Sequence, residues 1–302
     1  MKHTVQLMII TVFCAVVLTN LYAADPVSPT SAPPLEKPGW KLTFHDEFDK
    51  PLLNDLYWYP AYRTGRIEYL KRLGAKEINT GGAKMYHNPN AYYKIENGIL
   101  KLIIDENMPP RLKKEDMAVS CLMTSDHRFG KTTNDYQILE KFAQKYGWFE
   151  MRCKGITGSG LYSAFWLHQT DPLDQEYTVD GRRKQNSDGV VEIDIFEQFG
   201  KGTMKFSLFF TEDAQHELSM GFDPSEDFHV YAVNWREDGV DWYVDGKVIR
   251  SYKGETPKKK MFILLALFQF PVASWAGELD PNLTYPKTFE VDYVRVYLPE
   301  EK

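Results

Sequence analysis

The chain has 302 residues, of which 43% are hydrophobic and 26% charged, with a net charge of −6 at pH 7. These proportions belong to a folded globular chain and exclude a disordered tail, a collagen-like repeat and a coiled coil. The acidic balance, with no basic stretch long enough to follow a phosphate backbone, excludes nucleic acid as a partner.

The N-terminus reads as an export signal. Lys2 precedes the apolar run Met8–Leu18, and small residues follow at Ala23 and Ala24. Eleven apolar residues are too few for a membrane span, which takes about 20, so residues 1–23 are predicted to be a signal peptide cleaved near Ala23 or Ala24. Export would place the protein in a secreted or periplasmic compartment. Cys14 lies inside the run without a lipoprotein context. Residues 24–38 are rich in Pro and Ser and read as a flexible leader.

From Gly39 to about residue 299 the chain reads as one large all-β domain. Short alternating runs are separated by turn signals: Lys41–Phe44, Ile99–Ile104 after Asn97-Gly98, Trp148–Cys153, Leu161–Leu167, Val190–Phe196 and Lys205–Phe210. A hairpin follows over Val230–Trp235, Val240–Val244 and Lys247–Ile249, with Asp245-Gly246 as its turn, and Phe289–Tyr297 closes the chain. Many short strands with hairpin turns predict a β-sandwich. The apolar run at 261–270 is too short to cross a bilayer. Ile67–Leu73 and Tyr136–Gln144 are the two short helix candidates.

Cys121 and Cys153 remain after signal removal. Cys153 shares the apolar face of its strand with Phe149 and Met151, which favours core packing over a disulfide between the two. There is no CxxC and no His pair at helical spacing, so a structural zinc site has no support.

The segment from Val191 to Glu197 (VEIDIFE) carries three acids in an otherwise apolar strand. Acidic residues are depleted in strands, and burying unpaired charge is costly. Glu192 and Asp194 share a face by the two-residue period. Glu197 lies five residues from Glu192 and would face the other way in a regular strand. A β-bulge at Ile195-Phe196 returns it to the acidic face. Two carboxylates presented together suit retaining glycoside hydrolysis, which uses a nucleophile and an acid/base about 5–5.5 Å apart; a third between them can separate their pKa values. A solvated strand face and a calcium site are the competing readings. Against calcium stand the alternating strand and the lack of a Gly-containing loop.

At these residues the sequence resembles glycoside hydrolase family 16, whose bulged signature Glu-x-Asp-x-x-Glu is matched by Glu192, Asp194 and Glu197. Trp40–Asp49 resembles the family's opening strand. Tyr146–Lys154 and Ser163–Leu167 are similar to its central block, and Asp227–Asn234, Trp242–Gly246 and Val291–Tyr297 to its C-terminal strands. The resemblance implies a concanavalin A-like β-jelly-roll with a concave cleft, and retaining endo-hydrolysis of β-linked glucans or galactans. It makes Glu192 the nucleophile, Glu197 the general acid/base and Asp194 the assisting carboxylate. No cofactor is required for that chemistry. Members often bind a structural calcium ion on the outer face, and the sequence assigns no ligands for it. A polysaccharide or glycan is the implied partner, with the protein a monomer. The alternatives are a transglycosylase on the same scaffold and a non-catalytic glycan-binding lectin.

The two-residue period puts Tyr162, Ala164, Trp166 and His168 on one face of their strand and Leu161, Ser163, Phe165 and Leu167 on the core face. Trp166 is the candidate for stacking on sugar near the scissile bond, with a core role as its alternative. Tyr162 and His168 are further substrate-binding candidates, and Trp275 resembles a loop residue at the family's cleft edge. Many β-1,3-glucan hydrolases of the family have Trp-Pro in place of Tyr162-Ser163, Gly-Gly within the stretch Phe270–Ala273, and a histidine without counterpart in Lys205–Phe210. These departures weaken the case for laminarin-type specificity. Gln169–Gly189, with Arg182-Arg183-Lys184, reads as a loop at the cleft rim, and the insertion around Arg63–Asn90 as a further wall.

Overall fold

Asn97-Gly98 and Asp245-Gly246 are two-residue hairpin turns, and all four residues take positive φ, at 56°, 75°, 47° and 76°. This is the backbone that a type I′ turn demands, and it matches the right-handed twist of the flanking strands. The computed structural model describes residues 31–60, 84–85, 93–105, 116–129, 136–170, 191–200, 202–210, 215–270 and 276–301. The described residues form seventeen strands and no helix. The signal segment, Ile67–Leu73, the greater part of Arg63–Asn90 and of Gln169–Gly189, and Trp275 lie outside them.

In chain order the strands are β1 (Trp40–Asp46), β2 (Lys84–Met85), β3 (Tyr93–Glu96), β4 (Ile99–Ile104), β5 (Asp116–Met123), β6 (Ser125–Phe129), β7 (Tyr136–Glu140), β8 (Gly147–Lys154) and β9 (Leu161–Gln169). They continue as β10 (Glu192–Phe199), β11 (Met204–Phe209), β12 (Gln215–Leu218), β13 (His229–Arg236), β14 (Gly239–Val244), β15 (Lys247–Lys253), β16 (Met261–Gln269) and β17 (Lys287–Pro299). A seven-stranded front sheet runs β12-β11-β10-β9-β16-β5-β2. An eight-stranded back sheet runs β15-β14-β13-β8-β17-β4-β3, with β1 also paired to β17. Pairing is antiparallel throughout except for β2 with β5. This is the all-β sandwich that the alternating runs predict.

The core lies between the sheets. Leu161, Phe165 and Leu167 of β9 enter it from the front sheet, and Phe149, Met151 and Cys153 of β8 from the back. The far face of the front sheet carries a second buried cluster, built from Tyr162, Ala164 and Trp166 of β9, Leu264, Ala266 and Phe268 of β16, and Val119, Cys121 and Met123 of β5. β16 is buried on both faces, which is why its sequence is continuously apolar instead of alternating. Cys121 and Cys153 therefore sit in different clusters on opposite sides of the front sheet and are not joined.

Two expectations change. Tyr136–Glu140 is not helical but is strand β7, paired with β6 from Ser125↔Glu140 to Phe129↔Tyr136. The spacing of Tyr136, Ile138 and Leu139 suits a helix, but a neighbouring strand satisfies the same backbone groups and tertiary pairing overrides the local preference. The end of the leader is also held in place. Arg295 donates to the Pro33 and Pro34 carbonyls, the Tyr297 hydroxyl to that of Leu35, and Lys37 sits 3.3 Å from Glu150 and 4.0 Å from the centre of the Trp148 ring. The segment thus straps the back sheet, away from the acidic strand.

Candidate active site

The register of β10 shows how three acids reach one face. Against β9, Glu192, Asp194 and Glu197 lie opposite His168, Trp166 and Ala164, with one extra residue between Asp194 and Phe196. Against β11 the same shift falls between Asp194 and Glu197. The bulge is where the five-residue spacing requires it. Ile195 and Phe196, consecutive in sequence, both enter the inter-sheet core with Ile193. Phe196 packs 4.4 Å from Tyr231 and 5.7 Å from Phe289, centre to centre, and both partners come from the back sheet.

Gln198 fixes the end of the bulge. Its buried amide donates to the Ile156 and Phe199 carbonyls at 2.8 and 3.0 Å and accepts from the Ile156 N–H and the Ser163 hydroxyl at 2.8 and 3.2 Å. All four bonding positions of the amide are engaged. Ser163, polar on a core-facing position, has its reason here.

The electrostatics single out Glu197. Burial and the nearby charge of Glu192 push its carboxyl up to about 8, outweighing the opposing pull of the Ser207 hydroxyl, Lys205 and a hydrogen bond with Asp194. The Ser207 Oγ donates to Glu197 Oε2 at 3.2 Å. The shift, from burial first and the Glu192 charge second, favours the protonated carboxyl near neutral pH. This is the protonation state that a general acid needs.

Sequence reasoning missed Ser207 and Lys205. They lie directly opposite Asp194 and Glu197 on β11. The signal was there: both alternate with the buried Phe206 and Leu208, so the strand has a polar face that points where the acids point.

Tyr162, Trp166 and His168 stand on the acid-bearing face of β9, as the alternation predicts, and all are nearly buried. Tyr162 is stacked between Phe199 and Phe268, at 5.6 and 4.5 Å. The His168 Nδ1 lies 2.8 Å from the Gln169 carbonyl oxygen, which can only accept, so Nδ1 is the donor of this bond. Trp166 is 4% exposed and faces Asp194 across the strands. A Trp166→Ala variant is expected to lose about 3–5 kcal/mol of stability, read by denaturant unfolding; a variant as stable as the parent would place the indole outside the packed floor. Among the described residues no group of three or more His, Cys, Asp or Glu is gathered to hold a metal ion.

Residues 112–295, containing all three acids, match the sequence profile described as Glycosyl hydrolases family 16. The chain belongs to this family. It is 25% identical over 283 residues to the Niallia circulans "Glucan endo-1,3-beta-glucosidase A1", covering 86% of this chain and 38% of that protein. It is 29% identical over 175 residues to the "Kappa-carrageenase" of Pseudoalteromonas carrageenovora, covering 51% of this chain and 44% of that one. This family 16 chain thus spans less than half the length of either relative. Among solved structures, a GlcNAcα1-4Gal releasing endo-β-galactosidase from Clostridium perfringens superposes with a TM-score of 0.66 at 27% identity, covering 89% of this chain and 65% of that one. The fold of the family is the β-jelly-roll, and the two packed sheets agree with it. No helix among the described residues is long and apolar enough to cross a membrane.

Proposed function

We propose that this family 16 protein is an exported, retaining endo-β-glycosidase that cleaves internal β-1,3 or β-1,4 bonds of a glucan or a galactan-type glycan. The observation that carries the reading is the bulge between Asp194 and Phe196, which brings Glu192, Asp194 and Glu197 to one face, where burial and the Glu192 charge raise the Glu197 carboxyl. In the first step the Glu192 carboxylate attacks the anomeric carbon while Glu197 gives its proton to the departing glycosidic oxygen. The bond to the leaving sugar breaks as the glycosyl ester on Glu192 forms. In the second step a water attacks the same carbon, Glu197 takes the water's proton, and Glu192 leaves as carboxylate. Two inversions give net retention. Asp194, hydrogen-bonded to Glu197, tempers the raised pKa so that Glu197 can give up its proton in the first step and regain one in the second.

The relatives are named for action on a glucan, on κ-carrageenan and on a galactosidic glycan, and the missing laminarinase features at Tyr162-Ser163 lean away from a laminarin-only enzyme. The test is product analysis with laminarin, mixed-linkage glucan, agarose, κ-carrageenan and mucin glycans. Oligosaccharides of intermediate length are expected from one of them, absent with Glu192→Gln. Saturable binding by both proteins with no product from any substrate would overturn the enzymatic reading in favour of a lectin.

A further inference from the structure

One contact reaches the catalytic strand from the opposite sheet. The indole N–H of Trp242, on β14 and fully buried, donates to the main-chain carbonyl of Asp194 at 2.7 Å. Asp194 is the residue at which the bulge begins. Its side chain belongs to the acidic face, while its carbonyl is engaged from the core behind. The same indole is covered by the Arg250 guanidinium, 4.4 Å from the ring centre. Arg250 in turn donates to the carbonyl of Phe206, the residue between Lys205 and Ser207. The Trp242 ring thus bonds β10 directly and is tied to β11 only through Arg250.

A bulge is a local departure from the ladder and bends its strand. A one-residue slip sends a side chain to the other face. Where such a departure sits under reacting groups, something must hold it, because a displacement of about 1 Å at a catalytic group can cost about 10²-fold in rate. A buried donor aimed at the first residue of the bulge is suited to that task. Losing it leaves a buried carbonyl without this donor.

We infer that Trp242 is a positioning residue for the catalytic carboxylates, its N–H fixing the bulged backbone at Asp194 and thereby the placement of Asp194 and Glu197 relative to Glu192. This rests on the proposed glycosidase reading. It assigns a role in turnover to a residue that touches no substrate.

The experiment separates the bond from the bulk. Trp242→Phe keeps an aromatic ring and removes the donor. Trp242→His leaves a larger cavity but keeps an N–H in place, since imidazole Nε2 stands as many bonds from Cγ as indole Nε1 does. On the substrate found by the glycan panel, Trp242→Phe is expected to lose about 10²-fold in kcat with KM little changed. Trp242→His is expected to be the less stable of the two yet the faster. Activity that follows stability, with Phe equal to or better than His, overturns the inference, as does a folded Trp242→Phe that turns over like the parent. If Trp242→His does not fold, the kcat of folded Trp242→Phe decides alone. Glu192→Gln run alongside keeps the two readings apart: an inactive Glu192→Gln with a fully active Trp242→Phe rejects the positioning role and leaves the glycosidase intact.

Discussion

Glu192→Gln is expected to reduce hydrolysis to background while the fold and glycan binding persist. The amide is nearly the same size as the carboxylate, so the packing against His168 and Phe209, its neighbours across the strands, is kept, but it cannot form the glycosyl ester. Glu192→Gly with added azide carries the argument further. The small anion enters the space left by the side chain and attacks the anomeric carbon of an activated β-glycoside once, which gives the α-glycosyl azide. Normal hydrolysis by Glu192→Gln, or a β-azide from Glu192→Gly, would contradict the assignment of Glu192 as nucleophile.

Glu197→Gln is expected to slow cleavage of the natural glycan by about 10²–10⁴-fold, the usual weight of a general acid, and to slow an activated aryl glycoside far less, because its leaving group needs no proton. In the parent, kcat/KM should fall as pH rises through about 8, where Glu197 loses its proton. Glu197→Gln should lack that limb. The same carboxyl predicts an unusual stability profile. Its folded pKa is raised above the ordinary 4.5, so the folded state holds the proton more tightly than the unfolded chain. Its contribution is then most favourable at low pH and is lost as pH climbs from about 4.5 to about 8. Glu197→Gln should therefore gain stability over the parent at pH 9 relative to pH 4, measured as the difference in Tm at each pH. An unchanged difference between the two proteins across that range would show that Glu197 is not held protonated by the fold.

Much of this site is legible in the sequence because strand geometry leaves few choices. The spacing of Glu192, Asp194 and Glu197 admits one face only with a bulge, and the register shows it at Ile195. The alternation of Tyr162, Trp166 and His168 with Leu161, Phe165 and Leu167 divides β9 between a core face and an acid-bearing face as predicted. Asn97-Gly98 and Asp245-Gly246 set their hairpins through the one backbone shape those pairs favour. What is not legible depends on meetings across the sandwich. Trp242 is recognisable as part of a hairpin, but its bond to Asp194 joins residues 48 positions apart in different sheets. Ser207 and Lys205 need the pairing of β11 with β10 before their polar face acquires meaning. Tyr136–Glu140 reads as helix in the sequence, and its strand pairing becomes visible only with β6 beside it. The strap over residues 33–38 is invisible for a like reason: a Pro-rich stretch has no internal bonds to predict, and its partners Arg295 and Tyr297 lie at the far end of the chain.

On the proposed reading, the bulged strand presents Glu192 as the nucleophile of a double displacement, with Glu197 as its acid. The most direct measurement uses a 2-deoxy-2-fluoro β-glycoside with a good leaving group, built on the sugar that the glycan panel identifies. Fluorine at C2 slows both steps, and the activated leaving group lets the first outrun the second, so the glycosyl-enzyme accumulates for mass mapping. The expected result is one added glycosyl group on the peptide that contains Glu192, at that residue. A label on Glu197, or hydrolysis of the natural glycan with inversion and no label at all, would contradict it.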